Sequence, residues 1–145
     1  MSDTELYAAL KHFFGFSKFK GLQEPVVKSI LEKNNTFVIM PTGGGKSLCY
    51  QLPATLFDGL TLVVSPLIAL MQSQVAQLQL LGIKAHCLNS SNSDDENKKI
   101  ITMLKSNEIK LLYIAPERLI KNEIFICIAF IFIGGGFISF NFYLF

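Results

Sequence analysis

The sequence predicts an α/β fold, a doubly wound parallel sheet with helices on both of its faces. Two observations carry this prediction. Short, almost continuous apolar runs alternate along the chain with longer segments whose apolar residues recur at helical spacing. Strands that are buried on both faces show such runs because neither side of the strand meets water. One run leads directly into a glycine-rich loop, and ligands of these sheets bind at the carboxyl ends of the strands.

The composition fits one folded domain. The chain has 145 residues, of which 50% are hydrophobic and 17% are charged, so disorder is not expected. The net charge of +2 is too small to demand or to exclude nucleic acid. Cys49, Cys87 and Cys127 form no close pair, which indicates free thiols in a reducing compartment rather than a metal site. The acidic N-terminus lacks the pattern of a secretory signal, and a cytoplasmic location is expected.

The N-terminal part predicts two helices and then a strand. Ser2 with Glu5 has the capping-box spacing and precedes apolar residues at helical spacing that stop at Gly15. A second helix is predicted from Gln23 to Lys33. The apolar run from Thr36 to Met40 predicts the strand that enters the glycine-rich loop.

The central part predicts a helix, a strand and a second helix. The stretch from Leu48 to Leu52 is compatible with a helix that Pro53 should end or kink, since an interior proline costs about 3 kcal/mol. Leu60 to Ser65 predicts a buried strand. Pro66 suits the first turn of the next helix, which Gly82 ends.

The segment from Ala85 to Ala115 predicts two strands with one helix between them. Ala85 to Leu88 is a short strand, and Ser93 with Glu96 is a second capping box that opens a helix. Lys110 to Ala115 is a further strand, bounded by Pro116.

The loop from Met40 to Ser47 has the pattern of a phosphate-binding loop. Glycines let backbone N–H groups surround phosphate oxygens, and the helix N-terminus that follows favours an anion. Lys46 can reach the β- and γ-phosphates, and the Ser47 hydroxyl can bind Mg²⁺. A hairpin turn followed by a chance Lys-Ser is the alternative, and it leaves the flanking segments unexplained. The residues predicted to hold the phosphates are Thr42, Gly43, Gly44, Gly45, Lys46 and Ser47.

An aromatic residue, a cation and a glutamine lie upstream of the loop. Gln23 could bond the edge of an adenine, Phe16 could stack on the base, and Lys20 could lie over its face. Taken alone, these residues are better explained by a core that contains Phe16 and Phe19 and by a solvated Lys20.

Four segments resemble the motifs of RecQ-type DNA helicases of superfamily 2, in the same order and at the same spacing. The segment from Pro41 to Ala54 is similar to the phosphate loop of that family. The generic phosphate loop has glycine at the position of Met40, and a departure from glycine there is usual in the family. The others are Val63 to Met71, Leu88 to Ser90 and Leu112 to Leu119. The resemblance spans residues 13–119.

The resemblance implies an ATP-driven 3′–5′ DNA helicase with two RecA-like lobes, used in DNA repair and recombination. Residues 1–120 would form part of the first lobe, and residues 121–145 a divergent apolar tail. ATP and Mg²⁺ are the implied cofactors, and single-stranded DNA is the implied partner; no protein partner is indicated. By position, Phe16, Lys20 and Gln23 would bind adenine, and Ser65, Pro66 and Arg118 would contact the DNA backbone. Without the resemblance, Ser65 is as readily a helix cap and Arg118 a surface charge.

The tail differs from the family pattern. The family has an Asp-Glu-Ala-His segment soon after its Pro-Glu-Arg-Leu motif, whereas no Asp or Glu follows Glu123 here. Such acids hold Mg²⁺ and position the attacking water. Ile128 to Ile133 predicts an apolar strand. Three interpretations of residues 124–145 stay open: a buried strand with a ragged end, sequence read in a shifted frame, or a membrane anchor. We favour the first two, because three adjacent glycines each cost about 1 kcal/mol in a water-exposed helix.

Three functions are compatible with these features. The first is part of a RecQ-type helicase that binds ATP with Mg²⁺ and is inactive alone. The second is a non-enzymatic nucleotide- or DNA-binding module, with a membrane tether through its tail as a variant. The third, a small phosphate-loop kinase, is weak because Arg118 is the only arginine available for a lid.

Overall fold

The computed structural model describes residues 1–119 and, as backbone only, residues 139–140. The chain divides into two compact units, Met1–Phe57 and Asp58–Phe145. The predicted boundary at residue 120 stays a prediction.

The first unit contains three helices: α1 (Asp3–Phe14), α2 (Gln23–Leu31) and α3 (Lys46–Leu56). The predicted capping box of α1 is confirmed, since Ser2 Oγ accepts a hydrogen bond from Glu5 N and Glu5 Oε2 accepts one from Ser2 N at 2.7 Å. Gly15 ends the helix with a φ of +73°, a conformation that glycine adopts without steric cost.

One apolar cluster joins these three helices. It is built from buried residues that each helix presents at helical spacing, and Phe13, Phe14 and Phe19 pack against it. Removing this surface from water stabilises the unit by about 25 cal/mol per Å². Its buried members are Leu6, Leu10, Val27, Leu48 and Leu52.

Pro53 does not end α3, which was one of the two effects predicted for it. The helix continues to Leu56, and Phe57 N donates to the carbonyl oxygen of Pro53 at 2.9 Å. Every residue from Leu48 to Ala54 is buried. This packing offsets the local cost of a proline in the helix, as tertiary contacts often override propensity.

The prediction of a strand from Thr36 to Met40 is wrong. This segment has no regular secondary structure, and the side chains of Phe37 and Ile39 are 90% and 80% exposed. A strand depends on hydrogen bonds to a neighbouring strand. No strand among the described residues pairs with residues 36–40.

The second unit is a parallel sheet flanked by helices, as predicted. Its strands are β1 (Thr61–Val64), β2 (Ala85–Leu88), β3 (Leu111–Ile114) and β4 (Ser139–Phe140), in the order β2-β3-β1-β4. The three pairings among the described strands are parallel, and Val64 pairs with Ile114, which pairs with Leu88. The carboxyl ends of β1, β2 and β3 therefore meet at one edge of the sheet.

The described residues of this unit also form three helices: α4 (Ile68–Leu80), α5 (Asp94–Lys105) and α6 (Pro116–Leu119). Ile100 and Leu104 of α5 pack on Leu62, Leu88 and Leu112 of the sheet. The second predicted capping box is confirmed, because Ser93 and Glu96 exchange both of its hydrogen bonds. Pro66 lies two residues ahead of α4 instead of in its first turn.

The predicted strand from Ile128 to Ile133 lies outside the described residues, as does most of the tail. Its described part, β4, pairs with β1 in parallel. Within residues 1–119 and 139–140, no helix is both long enough and apolar enough to span a bilayer.

Candidate functional site

The glycine-rich loop folds as a tight turn followed directly by a helix. Gly44 N donates to the carbonyl oxygen of Pro41 at 3.0 Å, and Gly43 between them has a φ of +80°. A Cβ at Gly44 would lie 3.0 Å from that same oxygen. The turn therefore needs glycine at position 43 for its conformation, and a side chain at position 44 would force the backbone of Pro41 to shift slightly.

Gly45 joins this turn to α3 and contacts a side chain from upstream. It has a φ of +71°, and a Cβ there would overlap Gln23 Nε2. The Nε2 atom donates a hydrogen bond to the carbonyl oxygen of Gly45 at 3.1 Å. The absence of a side chain at Gly45 is what lets Gln23 approach the loop.

Gln23 is held on its other side by the backbone of Lys20. Lys20 N donates to Gln23 Oε1 at 2.8 Å, and Gln23 N donates to the carbonyl oxygen of Lys20 at 3.1 Å. The side chain of Gln23 is only 4% exposed. The structure thus brings Gln23, the backbone of Lys20 and the glycine-rich loop together in the first unit.

Lys46 is held by carbonyl groups of the loop itself. Its Nζ donates to the carbonyl oxygens of Met40 at 2.8 Å and of Pro41 at 3.1 Å. An ammonium group has three donors and prefers charged oxygen partners to neutral ones. Phosphate oxygens could therefore replace these carbonyl groups.

The start of α3 has the features of an anion site. Gly45 gives the helix no side-chain cap, and α3 has no acidic residue in its first turn. The first N–H groups and the positive end of the helix dipole consequently face the loop. The Ser47 hydroxyl, half-buried in this turn, is an oxygen ligand of the kind that Mg²⁺ accepts. These residues fit a nucleotide phosphate with its metal ion.

The other two residues predicted to bind adenine are exposed. Phe16 is 50% exposed, and the side chain of Lys20 is exposed while its backbone bonds Gln23. Phe19, by contrast, packs on the apolar cluster of the first unit. The alternative in which both phenylalanines belong to the core is therefore correct for Phe19 and wrong for Phe16.

Cys49 lies one turn into α3, and its Sγ is 3.9 Å from Met40 Sδ. Burial raises the pKa of the Cys49 thiol to about 11. The thiol therefore stays protonated near neutral pH, and Cys49 acts as a packing residue beneath the loop.

The residues predicted to contact DNA lie in the second unit, at the carboxyl edge of the sheet. Ser65 N donates to the carbonyl oxygen of Ile114 at 3.1 Å, and Ser65 Oγ accepts from Leu67 N at 3.3 Å. Ser65 is buried, so its side chain organises the turn before α4, whereas Pro66 is exposed.

Arg118 lies on α6, just beyond the end of β3. Its N–H donates to the carbonyl oxygen of Ala115 at 2.9 Å, and its side chain is half-buried. Within the described part of the chain, Nε of Arg118 is buried and has no hydrogen-bond partner. A buried guanidinium N–H without a partner is unusual, and an anion is one group that would satisfy it.

Asn89, for which the sequence predicts no individual role, lies at the same edge of the sheet. Its Oδ1 accepts from Ser91 N at 2.8 Å, and its backbone N–H donates to Asn92 Oδ1 at 2.7 Å. Ala115 N donates to the carbonyl oxygen of Leu88, directly before Asn89. The Asn-Ser-Ser-Asn run after a predicted strand could have indicated this turn, because Asn and Ser organise turns through hydrogen bonds of their side chains.

The family model of the DEAD/DEAH box helicases matches residues 20–129 of this chain. The chain is 47% identical over 123 residues to the ATP-dependent DNA helicase RecQ of Haemophilus influenzae, a match that covers 85% of this chain and 20% of that protein. It is 48% identical to the RecQ helicase of Bacillus subtilis, with 79% and 20% covered. It is also 48% identical to the ATP-dependent DNA helicase Q1 of Rattus norvegicus, with 80% and 19% covered.

The chain thus spans about a fifth of the length of these curated relatives. Among solved structures, it is similar to a hypothetical ATP-dependent RNA helicase from Sulfolobus tokodaii, with a TM-score of 0.60 and 22% identity. That match covers 81% of this chain and 35% of the other. At this identity the likeness shows a shared fold.

Proposed function

The chain belongs to the DEAD/DEAH box helicase family, on its RecQ-type branch, and from this premise we propose that it binds ATP with Mg²⁺ and single-stranded DNA. The Met40–Ser47 loop would hold the triphosphate. In the whole protein, binding would serve ATP-driven 3′–5′ unwinding of DNA in repair and recombination. A cytoplasmic location stays a prediction.

The observation that carries the proposal is the hydrogen bond from Gln23 to Gly45. It connects the upstream residues predicted to bind a base with the loop predicted to bind phosphates, although the two lie 22 residues apart. A single nucleotide can be bound only if the contacts to its base and the contacts to its phosphates lie close enough for one molecule to reach both. The bond supports a common site for the two parts of ATP.

Gln23 keeps enough bonding capacity for a base. Its Oε1 accepts one hydrogen bond, from Lys20 N, and its Nε2 donates one, to Gly45. A carboxamide oxygen can accept two bonds and the amide nitrogen can donate two. The remaining donor and acceptor match the N7 acceptor and N6 donor of adenine. The exposed ring of Phe16 and the cation of Lys20 are available to lie against the base.

Lys46 and Ser47 would hold the phosphates. In this role the Lys46 ammonium exchanges the carbonyl oxygens of Met40 and Pro41 for the β- and γ-phosphate oxygens. The Ser47 hydroxyl would be a ligand of Mg²⁺, which when bound neutralises charge on those phosphates. Thr42, Gly43 and Gly44 would supply backbone around the same group.

The carboxyl edge of the sheet would contact the DNA backbone. Arg118 brings a guanidinium with a buried Nε that lacks a partner among the described residues. The Ser65-Pro66 turn stands at the end of the neighbouring strand, and phosphates are commonly held by hydroxyls, backbone N–H groups and guanidinium groups together.

Slow ATP turnover is part of the proposal. Residues 124–145 contain no Asp or Glu that could complete a metal site or position water. We expect nucleotide binding without efficient hydrolysis by the 145-residue chain.

The test is a titration of the purified chain with fluorescent ATP, with Mg²⁺ or with EDTA. We expect Mg²⁺-dependent binding that Lys46→Ala abolishes. Lys11→Ala, an exposed cation on α1, is the matched control and should bind like the wild type. Equal binding by Lys46→Ala would overturn the phosphate assignment, and rapid DNA-stimulated ATP turnover would overturn the expectation of slow hydrolysis.

A further inference from the structure

Tyr7 of α1 contacts two residues that flank Lys20 and Gln23, two of the three residues predicted to bind adenine. Its ring meets that of Phe19 edge to face, with the ring centroids 5.3 Å apart and the planes at 77°. Its hydroxyl donates a hydrogen bond to Glu24 Oε2 at 2.7 Å. Phe19 directly precedes Lys20, and Glu24 directly follows Gln23. Tyr7 therefore bounds the segment from Phe19 to Glu24 at both of its ends.

Glu24 is a fixed partner for Tyr7. Glu24 Oε1 forms an ion pair with Lys28 Nζ at 2.9 Å, and Lys28 also pairs with Asp3 at 2.8 Å. The hydrogen bonds from Lys28 and Tyr7 lower the pKa of Glu24, and the bond to Glu24 raises the pKa of Tyr7. The carboxylate thus stays ionised and the phenol stays protonated near neutral pH, which keeps this bond intact.

Hydrogen bonds within the segment from Phe19 to Glu24 connect the two contacts of Tyr7 to Gln23. Lys20 and Gln23 bond each other through Lys20 N with Gln23 Oε1 and through Gln23 N with the Lys20 carbonyl oxygen. Phe19 directly precedes this hydrogen-bonded turn, and Glu24 directly follows it. Fixing both ends limits the orientation of the Gln23 amide.

We propose that Tyr7 is a positioning residue that sets the preference of this site for adenine. The inference rests on the proposed nucleotide site and assigns Tyr7 no contact with the ligand. Its effect concerns the base, because Lys46 and the loop turn are held by bonds of their own to Met40 and Pro41. Loss of Tyr7 should change recognition of the base and leave recognition of phosphate unchanged.

The experiment measures the dissociation constants of ATP, GTP and inorganic tripolyphosphate for the wild type, Tyr7→Leu and Tyr7→Phe. We expect Tyr7→Leu to bind ATP about three- to tenfold more weakly, the size of one aromatic pair, with tripolyphosphate binding unchanged. Tyr7→Phe keeps the ring contact and loses only the hydrogen bond to Glu24, so it should lose less of the preference for ATP over GTP than Tyr7→Leu. Lys11→Ala, on the exposed side of the same helix, is the control.

The possible outcomes separate this inference from the proposed function. A wild type without preference for ATP over GTP overturns the adenine site and the role of Tyr7 with it. A selective wild type whose preference survives in Tyr7→Leu overturns the role of Tyr7 alone, as does an equal loss for all three ligands. If Tyr7→Leu does not fold, Phe19→Leu removes the same ring pair, and the same readings apply.

Discussion

Gln23 Nε2 donates a hydrogen bond to the carbonyl oxygen of Gly45 at 3.1 Å, from a residue that is almost fully buried. The same side chain accepts a bond from Lys20 N at 2.8 Å. One amide therefore satisfies two backbone groups that belong to different segments of the first unit. Its removal should affect the stability of the unit as well as the proposed binding of a base.

Gln23→Leu should lower the free energy of unfolding by about 1–3 kcal/mol, because two backbone groups lose their partner. Urea unfolding followed by circular dichroism measures this loss. Gln77→Leu, at an exposed position of α4, is the control and should change stability by less than about 0.5 kcal/mol. Equal effects of the two substitutions would contradict the bridging role of Gln23.

Gly45→Ala should be more harmful than Gly15→Ala, although the two glycines have φ values of +71° and +73°. Both variants carry the cost of a left-handed alanine, about 1–2 kcal/mol. Only at Gly45 does the new methyl group meet another residue, so it must displace the buried Gln23 amide from its bonds. We expect Gly45→Ala to unfold at lower urea concentration than Gly15→Ala and to lose ATP binding. Similar midpoints for the two variants would argue against the close approach.

The local elements were predictable because their causes are local. The two capping boxes need only residues three apart, Ser2 with Glu5 and Ser93 with Glu96, and both formed. The strand β2 was predicted with its observed bounds, Ala85–Leu88. The parallel sheet followed from apolar runs that alternate with helices.

The errors concern contacts between distant residues. Thr36 to Met40 has the composition of a strand, yet a strand also needs a neighbour, which composition does not reveal. Pro53 has poor helix propensity, but burial of α3 outweighs it. The bonds of Gln23 with Gly45 and of Tyr7 with Glu24 join residues 22 and 17 apart, a separation that no sequence spacing indicates.

The capping box of α5 should make stability depend on pH. Hydrogen bonds from the backbone N–H and side chain of Ser93 lower the folded pKa of Glu96 from its usual 4.5. The carboxylate therefore stabilises the fold above pH of about 4.5, and this stabilisation is lost as pH falls through the lowered folded pKa. The difference in urea midpoint between the wild type and Glu96→Gln should be largest near pH 7 and should shrink toward pH 3.

The control for this titration is Asp95→Asn, an acid of the same helical turn that lies outside the capping box. It should show a smaller midpoint difference from the wild type across the same pH range. A wild type and a Glu96→Gln variant that differ equally at pH 3 and pH 7 would show that the charge of Glu96 does not contribute.

Arg118 should contribute one phosphate contact to DNA binding. Fluorescence anisotropy with a labelled oligothymidine at several NaCl concentrations gives the affinity and its salt dependence. We expect Arg118→Ala to weaken binding and to reduce the slope of log K against log[salt] by about 0.7, the value for one phosphate of a single strand. Lys105→Ala removes an equal charge from the exposed end of α5 and should leave the slope unchanged. If both variants lower the slope equally, binding reflects the net charge of the chain, and the buried Nε of Arg118 has no specific anion partner.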